Sequence, residues 1–165
     1  KSGISEIWWT FDPLQPMNAH FNLRKLGAIS SDYEENVYGI SSSPLHHGLP
    51  TDRLVAEWHL ESHRVERRMN GQLLPDLENV SLLPKIIEIQ GQEPTFLNLE
   101  LDQSLILLEI PCDFQALLKE DVQLVQSWQE KIRIACSHYF RQGYLMTDFV
   151  LVNDVHSQSF YVFEK

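Results

Sequence analysis

The sequence predicts an α+β fold, a mixed β-sheet with helices packed on it, and three stretches carry that prediction. Ile4 to Ala28 reads as a buried strand, a turn and a short amphipathic helix. Arg53 to Leu60 alternates like a half-buried strand. Leu105 to Val152 runs strand, long helix, strand, the pattern of a right-handed crossover between parallel strands.

The first stretch opens with Ile7, Trp8, Trp9, Thr10 and Phe11, a β-branched and aromatic run too apolar on both faces for an exposed edge. Asp12-Pro13 stops it, because proline lacks the ladder donor and moves its predecessor away from helical geometry. Pro16 then opens a helix and Gly27 sits just past its end. Met17, Phe21, Leu23 and Leu26 recur at helical spacing and supply one buried stripe.

Ser30 to Ser43 is polar and turn-rich, an irregular strand ending at Gly39, followed by a loop through Pro44, His46, His47, Gly48 and Pro50. In the next strand Leu54, Ala56, Trp58 and Leu60 share one face, while Arg53, Val55, Glu57 and His59 share the other. Glu61 to Met69 is charged, a short helix ended by Asn70-Gly71; Leu73 to Pro84 has no usable period. Lys85–Gln90, Thr95–Leu101 and Ser104–Ile110 read as strands, the last the most buried. Asp113 caps a helical turn through Leu118. Asp121 caps the strongest helix, where Val125, Trp128, Ile132, Ala135 and Tyr139 keep to one face until Gly143. Strands follow at Tyr144–Val152 and Ser159–Phe163, with a turn at Asn153–Ser157.

Net charge is −10, and its distribution matters more than its size. Residues 75–121 alone carry −8, so the acidity belongs to one central segment of solvated strand faces and loops. No basic stripe exists to neutralise phosphates, which disfavours nucleic acid and an anionic membrane surface as partners. Two cysteines without paired spacing, Cys112 and Cys136, argue against a disulfide scaffold or structural zinc and for a reducing cytoplasm. Cys136 falls within the long helical pattern, where a small buried hydrophobe is expected.

The run Trp9 to Ala28, with Ala19 and then Asn22-Leu23-Arg24-Lys25-Leu26-Gly27, resembles the late strand and following helix of the GNAT acyltransferases. Together with Gly48-Leu49-Pro50-Thr51-Asp52-Arg53 it is similar to a predicted acetyltransferase branch of that superfamily. The resemblance implies residues 1–72 as the C-terminal portion of a GNAT-like domain, with residues 73–165 as a second GNAT-like half or an appended α/β layer. It implies transfer of an acetyl or similar group from CoA to a small-molecule amine. Lys1-Ser2-Gly3 reads like a helix tail entering a strand, so a piece of a longer chain is expected, without the half that binds acyl-CoA in that family. The seven glycines are isolated and form no glycine-rich phosphate turn, so the chain alone is expected to be inactive and to bind acetyl-CoA weakly or not at all. A cut sheet edge at Ile4–Phe11 would invite a homodimer.

By resemblance, Asn18 and Asn22 face the pantetheine arm; alternatively Asn18 fixes the turn at residues 12–16 through local side-chain bonds. The family's tyrosine general acid corresponds to Leu23, which has no proton to give, and nothing selects between Tyr33 and Tyr38 as a replacement. Asp52 and Arg53 are candidate substrate residues, since a guanidinium fork beside a strand end can hold a carboxylate bidentately. The plainer reading is an Asp–Arg pair that organises the loop. His46, His47, His59 and His63 are a weak metal signal, because four-residue spacing supports joint ligation only on a helix, and no metal is expected. Arg64, Arg67 and Arg68 could meet CoA phosphates, with a solvated helix face the plainer expectation. A rival reading is a non-catalytic ligand-binding or protein-interaction module on the same scaffold.

Overall fold

The structure, a computed structural model, describes residues 3–39, 48–72, 77, 79–152 and 157–165. Strand β1 (Glu6–Phe11) leads into helix α1 (Pro16–Ala19), which runs on as a π-helical stretch (His20–Lys25). Then come β2 (Tyr33–Glu34), β3 (Arg53–His59), α2 (His63–Met69), β4 (Ile87–Gln90) and β5 (Glu93–Leu97). The chain finishes with β6 (Leu105–Ile110), α3 (Phe114–Glu120), α4 (Val122–Arg141), β7 (Leu145–Val152) and β8 (Gln158–Glu164). The class is α+β, and the described residues form three small sheets ordered β1-β3-β2, β4-β5 and β6-β8-β7.

Every strand pairing within those sheets is antiparallel. The strand–helix–strand order of β6, α4 and β7 therefore does not make adjacent parallel strands. β6 and β7 do run the same way, but β8 folds back between them. Among the described residues parallel pairing survives in one bridge, between Lys85 and Leu107.

The same topology occurs twice. β1, the first helix, the 29–34 segment and β3 form a strand–helix–strand–strand unit whose last strand lies in the middle, as in the β6 to β8 unit. Gly27 and Gly143 end the two helices with φ of 76° and 87°, a left-handed geometry that other residues adopt only with strain. Three residues beyond each, Ser30 and Met146 form an antiparallel bridge with N–H···O distances of 2.9 Å in both directions. The two units thus meet through equivalent positions, and one core cluster draws Phe11, Leu23 and Leu54 together with Ile132, Tyr139 and Phe163.

Several elements follow their local chemistry. Asp113 and Asp121 each accept a bond from the backbone N–H three residues on, at 2.9 and 3.0 Å. Val125, Trp128, Ile132, Ala135 and Tyr139 are buried along α4, as is Cys136, whose thiol burial pushes up. Helix α2 begins at the cap Ser62 and stops at Asn70.

Other expectations need correction. β1 is an edge strand, with Ile7 and Trp8 exposed by 40% and 59%. Its apolar character is used on one side only, where Trp9 packs edge-on against Trp58. Met17 and Phe21 are exposed, and the helix instead buries Pro16, Ala19, Asn22, Leu23 and Arg24. The π turns, marked by the bond from Leu26 N–H to Phe21 O at 2.9 Å, rotate the buried face away from the 3.6-residue stripe. β3 is buried on both faces through Leu54, Val55, Ala56 and Glu57 rather than on one. Residues 30–39 carry only the short β2 and one bridge residue, Ser30, not a longer strand. On α2, Arg68 is buried and Arg64 half-buried, so two of its three arginines leave the solvated face. Lys1, Ser2, His46, His47 and most of the turn at 153–157 lie outside the described residues.

Candidate functional site

The site grows from the turn that ends β1. Leu14 N–H donates to Asp12 Oδ1 at 2.9 Å and Gln15 N–H to Asp12 O at 3.3 Å, so Asp12 closes its own turn before Pro16 starts the helix. Phe11 pairs with Leu54, and Arg53 therefore lies just beyond the end of β1. Between turn and strand lies a cavity of about 200 Å³ lined by Asp12, Gln15, Thr51 and Arg53, with Leu118 and Gln129 across it from α3 and α4.

The loop that presents Arg53 is anchored on every side. Gln129 Nε2 donates to Pro50 O at 2.7 Å. Thr51 Oγ1 accepts from Tyr38 N–H at 2.8 Å and donates to Gly39 O at 3.1 Å. Asp52 turns inward with its side chain fully enclosed. Its Oδ2 accepts from Tyr33 Oη at 2.8 Å and from Arg133 Nε at 2.9 Å, while Oδ1 accepts from Asn36 N–H at 3.0 Å. The bond to Asp52 holds the Arg133 guanidinium above its ordinary value. Burial, reinforced by the neighbouring Cys136 and Asp52, pushes the Tyr33 phenol far above the tyrosine range.

Alternation along the strand sends Arg53 the other way. Its Nη1 donates to Asp52 O at 2.8 Å, and its guanidinium lies 5.3 Å from the centroid of the Tyr38 ring. Asp52 and Arg53 are therefore not a carboxylate–guanidinium pair: the acid binds Arg133 inside the protein, and the base lines the cavity. Arg133 was no sequence candidate, because its partner lies 81 residues away. Asn18 is exposed on α1, whereas Asn22 is buried, so the structure does not present them together on one open face. Leu23 is fully enclosed in the core.

A second cavity, about 330 Å³, occupies the corresponding end of β6. Glu109, Cys112, Asp113 and Glu120 line it, with Trp128 fixed by its Nε1–H bond to Gln92 O at 2.9 Å. Burial holds the Glu109 carboxyl above the ordinary carboxylate range, opposed by the bond from Gln158 and by Lys85. Sequence reasoning missed this cavity; the signal was Pro111-Cys112-Asp113, a strand-end turn in the same place as Asp12-Pro13. His59 Nδ1 sits 3.2 Å from Glu6 Oε1 at the far end of β3, and His63 is exposed on α2. Among the described residues no group of three or more His, Cys, Asp or Glu is placed to hold a metal, and no helix is long and apolar enough to cross a membrane. Comparisons with family models, with curated proteins and with solved structures gave no match.

Proposed function

We propose that this chain supplies the acceptor side of an N-acyltransferase that moves an acetyl or similar group from CoA to a small amine bearing a carboxylate. The observation that carries the reading is the convergence of Asp12 and Arg53 on one cavity at the carboxyl end of β1. There Arg53 would hold the carboxylate through its fork, and Asp12 would lie across the same space, toward the amine. The amine must lose its proton before attack, and the leaving thiolate must gain one. Tyr33 is committed to Asp52, which leaves Tyr38, stacked on Arg53, as the phenol for the second task.

A second reading, a ligand-binding module without catalysis, is favoured by one observation. Leu23, which the GNAT resemblance aligns with a tyrosine acid, is enclosed in the core and has no proton to give. Isothermal titration separates the two readings. An acceptor site takes both a small amino acid and its N-acetyl product, in competition, and Arg53→Met weakens both. Binding of the free amino acid alone favours the module. Acetyl-CoA should bind more weakly than micromolar, since the glycines among the described residues stand singly and cradle no phosphate. Micromolar binding would contradict the assignment of this chain to the acceptor side alone.

A further inference from the structure

The two units differ in how their outer strands are covered. In each, six residues of the outer strand pair with the central one, from Glu6–His59 to Phe11–Leu54 and from Leu105–Glu164 to Ile110–Ser159. Both ladders begin alike, with Leu60 N–H donating to Ser5 O and Lys165 N–H donating to Ser104 O, each at 2.9 Å. Trp8 is therefore the counterpart of Leu107, third in its strand. Alternation from that first bond turns the N–H and C=O of both residues away from the central strand. In β6 those two groups are used: Leu107 N–H donates to Pro84 O at 2.9 Å, and Ile86 N–H donates to Leu107 O at 2.8 Å. Residues 84–86 thus lie parallel to β6 with Lys85 opposite Leu107, and Ile86 O accepts in turn from Asn98 N–H at 2.8 Å.

Among the described residues no segment does the same for β1. The bridge between Ser30 and Met146 joins the units, so β1 and residues 84–86 are the two ends of one continuous run of paired strands. One end is closed and the other open: Leu107 is fully enclosed, whereas Trp8 is 59% exposed. An open edge on so apolar a strand is a template for another chain. The face that carries Trp8 says what that chain should bring. Alternation puts Glu6 and Thr10 beside Trp8, and on β3 it puts Glu57 opposite Trp8 and His59 opposite Glu6. Glu6 Oε2 accepts from Trp8 Nε1 at 3.4 Å, and His59 Nδ1 sits 3.2 Å from Glu6 Oε1. His59 Nε2 is 3.6 Å from Glu57 Oε2, while Glu57 Oε1 accepts from Ser31 Oγ. Two carboxylates thus share one imidazole beside an exposed indole, a surface that favours a cation. On β6 the matching face is apolar, through Leu105, Leu107, Phe160 and Val162, and even there Lys85 Nζ lies 5.2 Å from the centroid of the Phe160 ring.

We propose that β1 takes an extended segment of a partner polypeptide, parallel to it, with a lysine or arginine opposite Trp8. The residue before that base accepts from Trp8 N–H and the residue after it donates to Trp8 O, as Pro84 and Ile86 do for Leu107. The basic side chain then lies on the face of Trp8, Glu6 and Glu57. A second copy of this chain is the poorer occupant, because its own β1 brings Glu6 and no base to the edge. The acyltransferase reading plays no part in this contact, which lies on the flank of β1 and not at the cavity beyond its end.

A capped peptide of residues 82–88, Leu-Leu-Pro-Lys-Ile-Ile-Glu, added to the whole isotopically labelled chain, tests it by NMR. Two ladder bonds and one charged contact place its Kd on the order of 0.1–1 mM. Near saturation, hydrogen exchange at the Trp8 amide should slow by about tenfold, while the Trp9 amide, which faces β3, stays unchanged. Lys85→Glu in the peptide should weaken binding by about tenfold, and Glu6→Gln in the chain by about threefold. A spin label on the peptide's N-terminus should broaden Ser5 and Glu6 more than Thr10 and Phe11, as parallel pairing requires. Unchanged exchange at Trp8, equal binding of the Lys85→Glu peptide, or broadening centred on Phe11 overturns the proposal. So does a free chain that is already dimeric, with the Trp8 amide protected before any peptide is added.

Discussion

Asp52→Ala tests how the two halves are joined. The Asp52 side chain is fully enclosed and receives Tyr33 Oη, Arg133 Nε and Asn36 N–H. Removing it strands Tyr33 Oη and Asn36 N–H and leaves Arg133 with the longer contact to Glu35 Oε2 at 3.7 Å. Breaking a buried ion pair from one side costs about 3–5 kcal/mol. Exposure of about a quarter of the Arg133 side chain lets water recover part of that, so the lower half of the range is expected. Tyr33→Phe removes one neutral donor and leaves Arg133 and Asn36 in place, at about 1 kcal/mol. Urea unfolding followed by tryptophan fluorescence reads both, with Trp9, Trp58 and Trp128 reporting from either half of the chain. The predicted order is Asp52→Ala well above Tyr33→Phe, with a coupling of about 2 kcal/mol between Asp52→Ala and Arg133→Met in a double-mutant cycle. If Asp52→Ala falls within 1 kcal/mol of the parent, or if the cycle is additive, the bond does not tie α4 to the loop as argued.

Gly27→Ala should destabilise by about 2–3 kcal/mol, because a φ of 76° and the approach of Arg68 act together. Gly143→Ala, with open space at the same kind of turn, should cost only about 1 kcal/mol; equal losses would mean the arginine packing contributes nothing. Glu109→Gln should stabilise the fold at pH 7, measured by denaturant titration. The folded carboxyl is held above its unfolded value, so its penalty is present at pH 7 and vanishes below the ordinary glutamate range, as should the gain. A gain that persists at pH 3 would contradict the cause. Trp8→Lys should leave stability within about 0.5 kcal/mol, since Trp8 is largely exposed, yet reduce any self-association through the β1 edge. A sedimentation profile unchanged by the substitution would remove that edge from the contact.

What the sequence revealed and what it hid divide along local and non-local physics. Pro13, Pro16 and Gly27 announce a strand, a turn and a helix, and Asp113 and Asp121 announce two caps, because each acts on its immediate neighbours. Nothing between Leu105 and Phe163 says that β8 enters between β6 and β7; that depends on which edge is open when it folds back. The exposure of Ile7 and Trp8 on β1 is hidden as well, since an apolar run looks the same whether covered or open. Charged residues misled most. Arg68 reads as part of a solvated helix face, yet it is buried, as are Arg24, Asp52 and Asp148, each against partners from distant parts of the chain that no local pattern announces. Arg53 was legible as a candidate, but its separation from Asp52 is a consequence of strand alternation beside a buried arginine.

The claim on which the functional reading depends is that the end of β1 receives a small amine through Arg53. Titration of the isotopically labelled chain with a small free amino acid, followed by amide and arginine side-chain NMR shifts, addresses it directly. Saturable shifts should centre on Asp12, Leu14, Thr51 and Arg53 and disappear in Arg53→Met while Tm stays unchanged. Shifts confined to the β6 cavity around Cys112, or none at millimolar ligand, would contradict it.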